Sequence, residues 1–232
     1  MQYFAIRGGY LIMKEIFQFL RELRRHNDRE WFAAHKQDYL RVKETAENFT
    51  ARLIAALAGI DPEAARLTPA DCTYRIYRDT RFSADKTPYK THIGIFICPP
   101  FGKKSIMAGH YFHLEPDNTF YACGTWYLPP KALKAVRQSI YDEIDEYRSI
   151  VESAEFRQYF TSVGEDFLKT APKGFPKEWQ WIDYLRPRMF CATAPLSEQT
   201  VCAPNAIDRL LDMMRQGKRL DDFLNYTIED YI

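Results

Sequence analysis

With 232 residues, 46% of them hydrophobic and 15% aromatic, the chain can bury a substantial core and suits one large or two small globular domains. Its 32 lysines and arginines against 31 aspartates and glutamates leave a net charge of +1, which argues against nucleic-acid or anionic-membrane binding over the whole surface but permits a local basic patch. Five scattered cysteines form no CxxC, and no apolar run approaches the roughly 20 residues of a membrane span, so the sequence reads as a cytoplasmic protein with reduced thiols.

Residues 1–12 have little periodicity of their own, and Arg7-Gly8-Gly9 fits a translated ribosome-binding site ahead of Met13. They are read as a non-native or disordered extension to a single α+β domain over 13–232. Ile16, Phe17, Leu20 and Leu23 line one face of a first helix. Asn27-Asp28-Arg29-Glu30 predicts a capping box with Asn27 as the cap. The helix it opens carries Trp31, His35, Tyr39, Val42, Phe49, Leu53 and Leu57 at helical spacing, until Gly59 and Asp61-Pro62 stop it.

The stretches 72–78, 91–98, 107–115 and 119–127 are rich in β-branched and aromatic residues and predict an antiparallel meander, with Pro116-Asp117-Asn118 as one turn. Pro129-Pro130 opens a second helical region through Leu133, Val136, Ile140, Ile144, Tyr147 and Val151, followed by a short helix around Phe156–Phe160 that Gly164 ends. One more strand is expected near Arg188–Thr193, then two helices over about 204–216 and 218–225. Helices on one face of a sheet make the fold class α+β.

The least generic segment is 75–92. It holds the cations Arg75, Arg78, Arg81, Lys86 and Lys90 and the carboxylates Asp79 and Asp85, interleaved with the aromatics Tyr77, Phe82 and Tyr89 and with Tyr74 just ahead. Arginine grips phosphate or carboxylate with a planar fork, lysine adds a mobile charge, and interleaved aromatics can stack a base or sugar. An ordinary alternative is that Arg–Asp pairs here merely tie down a long loop.

Strand alternation supplies a second clue. With Ile93, Ile95 and Ile97 facing the core, His92 and Gly94 face away; Tyr111 and His113 likewise oppose Phe112 and Leu114. Arg75, Tyr77, His92, Tyr111, His113 and Trp126 would then line one cleft, with His92 and His113 as acid–base candidates. His110-x-x-His113 has metal-ligand spacing, but residues three apart on a strand point to opposite faces, so neither a metal nor a cofactor is expected. His35 reads as a hydrogen-bonded core histidine, and Lys173-Gly174-Phe175 as a turn.

Four stretches together resemble a known family: 27–36 (NDREWFAAHK), 75–92 (RIYRDTRFSADKTPYKTH), 111–116 (YFHLEP) and 171–175 (APKGF). They are similar to the bacterial family called domain of unknown function 2461, from about Met13 to the FLNY at 223–226. The resemblance implies Arg78, Asp79, Arg81, Phe82, Asp85, Lys86, Tyr89 and Lys90 as signature positions, with Trp31, His35 and Lys36 from the helix motif, and it implies no chemistry. The expected function is binding of an anionic small molecule, phosphate-bearing or a nucleotide. The alternatives are a nucleic-acid-binding module and a structural or protein-interaction domain without catalysis.

Overall fold

The computed structural model describes the backbone over 2–231 and the side chains over 13–231. The extension expected at 1–12 therefore lies outside the residues whose side chains are described. Two compact units emerge. The first comprises Met1–Lys103, Tyr111–Tyr121 and Pro195–Leu211; the second comprises Lys104–His110, Ala122–Ala194 and Asp212–Ile232.

The fold is α+β with one antiparallel sheet. Its strands are β1 (Ile93–Ile97), β2 (His110–Leu114), β3 (Phe120–Thr125), β4 (Glu165–Phe167) and β5 (Pro187–Pro195), in the order β1-β2-β3-β5-β4. The expected meander is β1-β2-β3. The strand expected near 188–193 is β5, which pairs with the unforeseen β4 through Glu165 opposite Met189 and Phe167 opposite Pro187.

The strand predicted at 72–78 is not continuous. It touches the 89–95 stretch through two isolated antiparallel bridges, Thr73 with Ile95 and Tyr77 with Tyr89. Between them the Tyr74 amide donates to the Gly94 carbonyl at 2.9 Å and the Lys90 amide to the Ile76 carbonyl at 2.8 Å. The result is a loose hairpin arm whose tip is the charged loop.

In the first unit, α1 (Gln2–Arg25) contacts α3 (Lys36–Leu57) and α8 (Glu198–Cys202), and α3 contacts α4 (Pro69–Cys72) and β1. Ile16, Leu20, Leu23, Leu53, Leu57, Ile95 and Ile97 are fully buried in this core. The single long helix expected from Asn27 is broken. Asp28, not Asn27, caps α2 (Arg29–Ala34) by accepting the Trp31 amide at 2.8 Å. His35, at φ −104° and ψ 20°, separates α2 from α3, and its Nδ1 lies 2.8 Å from the Trp31 carbonyl.

In the second unit, the helical region after Pro129 is α5 (Pro130–Asp142) and α6 (Ile144–Val151), divided at Glu143, followed by α7 (Ala154–Arg157). The two final helices expected are one, α9 (Ala206–Ile228), of which the part from Asp212 belongs to this unit. Gly217 does not break it because it falls on the buried stripe with Met213, Met214, Leu220 and Leu224. Glycine costs a helix interior about 1 kcal/mol, and the packing of that stripe outweighs it.

Candidate functional site

The charged loop spends most of its cations on itself. Arg78 donates to both Asp85 and Thr87, and Arg81 makes a two-point contact with Asp79, at 3.0 Å from Nε and 2.6 Å from Nη2. Lys86 donates to the Thr80 carbonyl at 2.8 Å. The Asp85 carboxyl is held down at about 2 by bonds from the Thr87 amide, Arg78 and the Thr87 hydroxyl. Phe82 at the tip is 97% exposed. Arg75 and Lys90 differ: neither makes an ion pair among the described residues. Arg75 is exposed, while Lys90 is half-buried with its ammonium 5.5 Å from the Tyr74 ring centroid. Burial, then the neighbouring Arg75, lowers the Lys90 pKa.

Beside Lys90 lies a chain of polar side chains on the face opposite Ile93, Ile95 and Ile97. The Tyr111 hydroxyl sits 2.9 Å from His113 Nδ1, and His113 Nε2 sits 3.1 Å from Glu115 Oε2. With Glu115 ionised, Nε2 carries the proton, so Nδ1 accepts from the Tyr111 hydroxyl. Thr91 donates to Glu115 Oε1 at 2.8 Å and Asn118 to Oε2 at 2.9 Å, while Arg24 approaches Oε1 to 3.5 Å. His92 lies over His113, ring centroids 4.2 Å apart, and Phe120 stacks on His113 at 4.7 Å.

Burial governs the electrostatics here. It brings His92 down to about 4, with the nearby His113 adding to the effect, lowers His113, and lifts Tyr111 to about 12. Burial also pushes Glu115 up, but the bonds from Asn118, Thr91 and His113 together hold it below the usual carboxylate range. Gly94 makes the cluster fit, since a Cβ there would lie 3.0 Å from the Tyr111 hydroxyl and 3.2 Å from the Tyr74 ring.

Of the residues expected in one cleft, the structure brings together His92, Tyr111 and His113, with Lys90 alongside. Tyr77 and Tyr89 belong to a different cluster: Tyr89 is buried against Phe32 at 3.9 Å between centroids, and Tyr77 packs on both. Trp126 belongs to the second unit and is 57% exposed. Glu115 and Thr91 were given no role from the sequence, although strand alternation through 111, 113 and 115 places Glu115 on the same face.

The helix and loop motifs meet through Asn27 and Phe32. Asn27 pairs with Tyr89 as a strand would, its Nδ2 donating to the Tyr89 carbonyl at 2.9 Å and its Oδ1 accepting the Tyr89 amide at 3.1 Å. Trp31 and His35 face elsewhere, stacked on each other at 4.0 Å. With Glu15, Glu22, Asp38 and Arg41 they line a groove of about 400 Å³ along α1 and α3. Lys36 is exposed at the start of α3.

Residues 15–223 match the family described as conserved hypothetical protein (DUF2461). The chain belongs to the DUF2461 family. No curated protein and no solved structure matches it. The stretches resembling DUF2461 thus have physical roles. Asn27 and Phe32 anchor the loop arm, and residues 78–87 pair among themselves. Tyr111, His113 and Glu115 form the polar chain, while Gly174 turns at φ +97° ahead of the buried Phe175. In the closing stretch, Asn225 accepts the Ala108 amide at 2.8 Å and donates to its carbonyl at 3.1 Å. One turn earlier the buried Asp221 accepts the Gly124 amide at 2.6 Å and lies 3.4 Å from His110 Nδ1. His110 thus has a partner of its own in the second unit and does not converge with His113. Among the described residues, no helix of this DUF2461 member is long and apolar enough to cross a membrane.

Proposed function

We propose that the face carrying Tyr74, Arg75, Lys90, His92 and Tyr111 binds a small phosphate-bearing molecule. The observation that carries this reading is the contrast within one motif: Arg78, Arg81 and Lys86 are satisfied within their own loop, whereas Arg75 and Lys90 make no ion pair among the described residues. Lys90 is half-buried beside the exposed Arg75, and this partial loss of hydration next to a like charge disfavours its ammonium, which an anionic ligand would offset. Lysine offers the point charge and arginine the fork. Tyr74 and Tyr111 offer ring faces for the rest of the molecule. The five buried free thiols, with Cys72 and Cys191 pushed up to about 12 by burial, support a reducing compartment such as the cytoplasm.

A thermal-shift screen with inorganic phosphate, pyrophosphate, sugar phosphates and nucleotides tests this reading. A ligand at 100 times its Kd stabilises by about 2.7 kcal/mol. A binder whose shift falls at least tenfold in affinity in Lys90→Ala and Arg75→Ala, and holds in Arg81→Ala, supports the site. A shift abolished by Arg81→Ala and kept in Lys90→Ala would return the ligand to the loop.

A further inference from the structure

We infer that His92, His113 and Glu115 form a binding site for one divalent transition-metal ion of the zinc, cobalt or iron(II) kind. One nitrogen from each imidazole and one carboxylate oxygen all lie within 4.8 Å of one another. Two imidazoles and a carboxylate are the donors that borderline divalent ions accept, and they leave room for water or a ligand at the remaining positions.

Distances favour it further. A tetrahedral ion with bonds near 2.0–2.1 Å holds its donors about 3.3 Å apart. His113 Nε2 and Glu115 Oε2 already stand 3.1 Å apart, so an ion replaces the proton they share with almost no movement. His92 closes the rest, at most about 1.5 Å, by turning its ring from its stack over His113.

The surroundings are those of a metal-ligand shell. Thr91 and Arg24 engage Oε1 of Glu115, which leaves Oε2 directed at His113; Asn118 steadies Oε2 from the side. Tyr111 holds the other nitrogen of His113. Partners of this kind orient ligating histidines and carboxylates and fix the imidazole tautomer. Metal at Nε2 moves the ring proton to Nδ1, so the Tyr111–His113 hydrogen bond persists with its direction reversed: the phenol donates without metal and accepts with it. Lys90 is near enough to act electrostatically on His92.

The test uses the tag-free, chelator-treated full chain and CoCl2 in buffer without phosphate. One equivalent of Co2+ should give visible d–d bands of low coordination number, which Zn2+ then abolishes. Glu115→Gln and His92→Gln should weaken uptake at least tenfold, while His26→Gln and His35→Gln leave it unchanged. Imidazole nitrogen NMR of the wild-type chain with Zn2+ gives a readout independent of variant folding. The His113 proton should pass from Nε2 to Nδ1. Absence of the bands, or bands lost with His26→Gln or His35→Gln but kept in Glu115→Gln, overturns the site, as does an unchanged His113 spectrum. No anionic ligand is present, so failure here leaves the phosphate reading to its own test.

Discussion

Asn27 illustrates what a single side chain can do that local sequence does not announce. A short amide ahead of a helical run is a natural cap, and the expectation followed that rule. Its partner, the Tyr89 peptide, is 62 residues away, and only the folded chain brings the two together. Asn27→Ala strips partners from both the Tyr89 amide and carbonyl, and should cost about 1–3 kcal/mol in urea unfolding. A loss near zero would mean that water replaces the amide. Gly94 is the matching test of close approach. Gly94→Ala crowds the Tyr111 hydroxyl and ring by a few tenths of an ångström, so it should weaken Co2+ uptake at the face at least tenfold while leaving the urea midpoint nearly unchanged. Gly124, at φ +98°, leaves no such latitude: a Cβ would overlap the Phe190 carbonyl oxygen and lie 2.8 Å from Cys191 Cα. Gly124→Ala should cost about 3 kcal/mol or more in the same measurement.

At the scale of elements, helices and strands with a buried stripe were legible, because burial writes its period into the chain. The isoleucines of β1 and the Phe112–Leu114 face of β2 were read in that way. Breaks were less legible, because they depend on competition at one residue: His35 divides a periodic stretch, and Gly217 fails to divide another. The charged loop was recognised as unusual, but which cations would stay unspent depended on the hairpin arm's geometry. Its carboxylates face solvent. The Asp85 pKa lies at about 2, below the model-peptide value of 3.8, so its contribution is present above pH 4 and disappears as pH falls through 2. Asp85→Asn should therefore raise amide exchange across 80–87 at pH 7 while leaving the global urea midpoint in place, as expected for a solvent-screened pair. A large midpoint shift would make the loop part of the cooperative core.

At the scale of the whole molecule, the near-zero net charge and mixed α+β pattern were readable from composition and periodicity, whereas the candidate centre needed the third dimension. Glu115 lay within the 111–116 stretch of the resemblance but was given no role, because a lone glutamate at a strand end is ordinary; its meaning comes from His113, Thr91 and Asn118 around it. The five histidines of the chain report on different places: His92 and His113 on the sheet face, His26 and His35 beside Trp31, and His110 against Asp221. An imidazole-detected NMR spectrum of the wild-type protein, recorded before and after addition of a phosphate ligand from the screen and of Zn2+, tests the account most directly. It predicts that the His92 and His113 resonances move and the other three stay. Movement at His26 and His35, with His92 and His113 unchanged, would place the working site in the groove along α1 and α3 and contradict it.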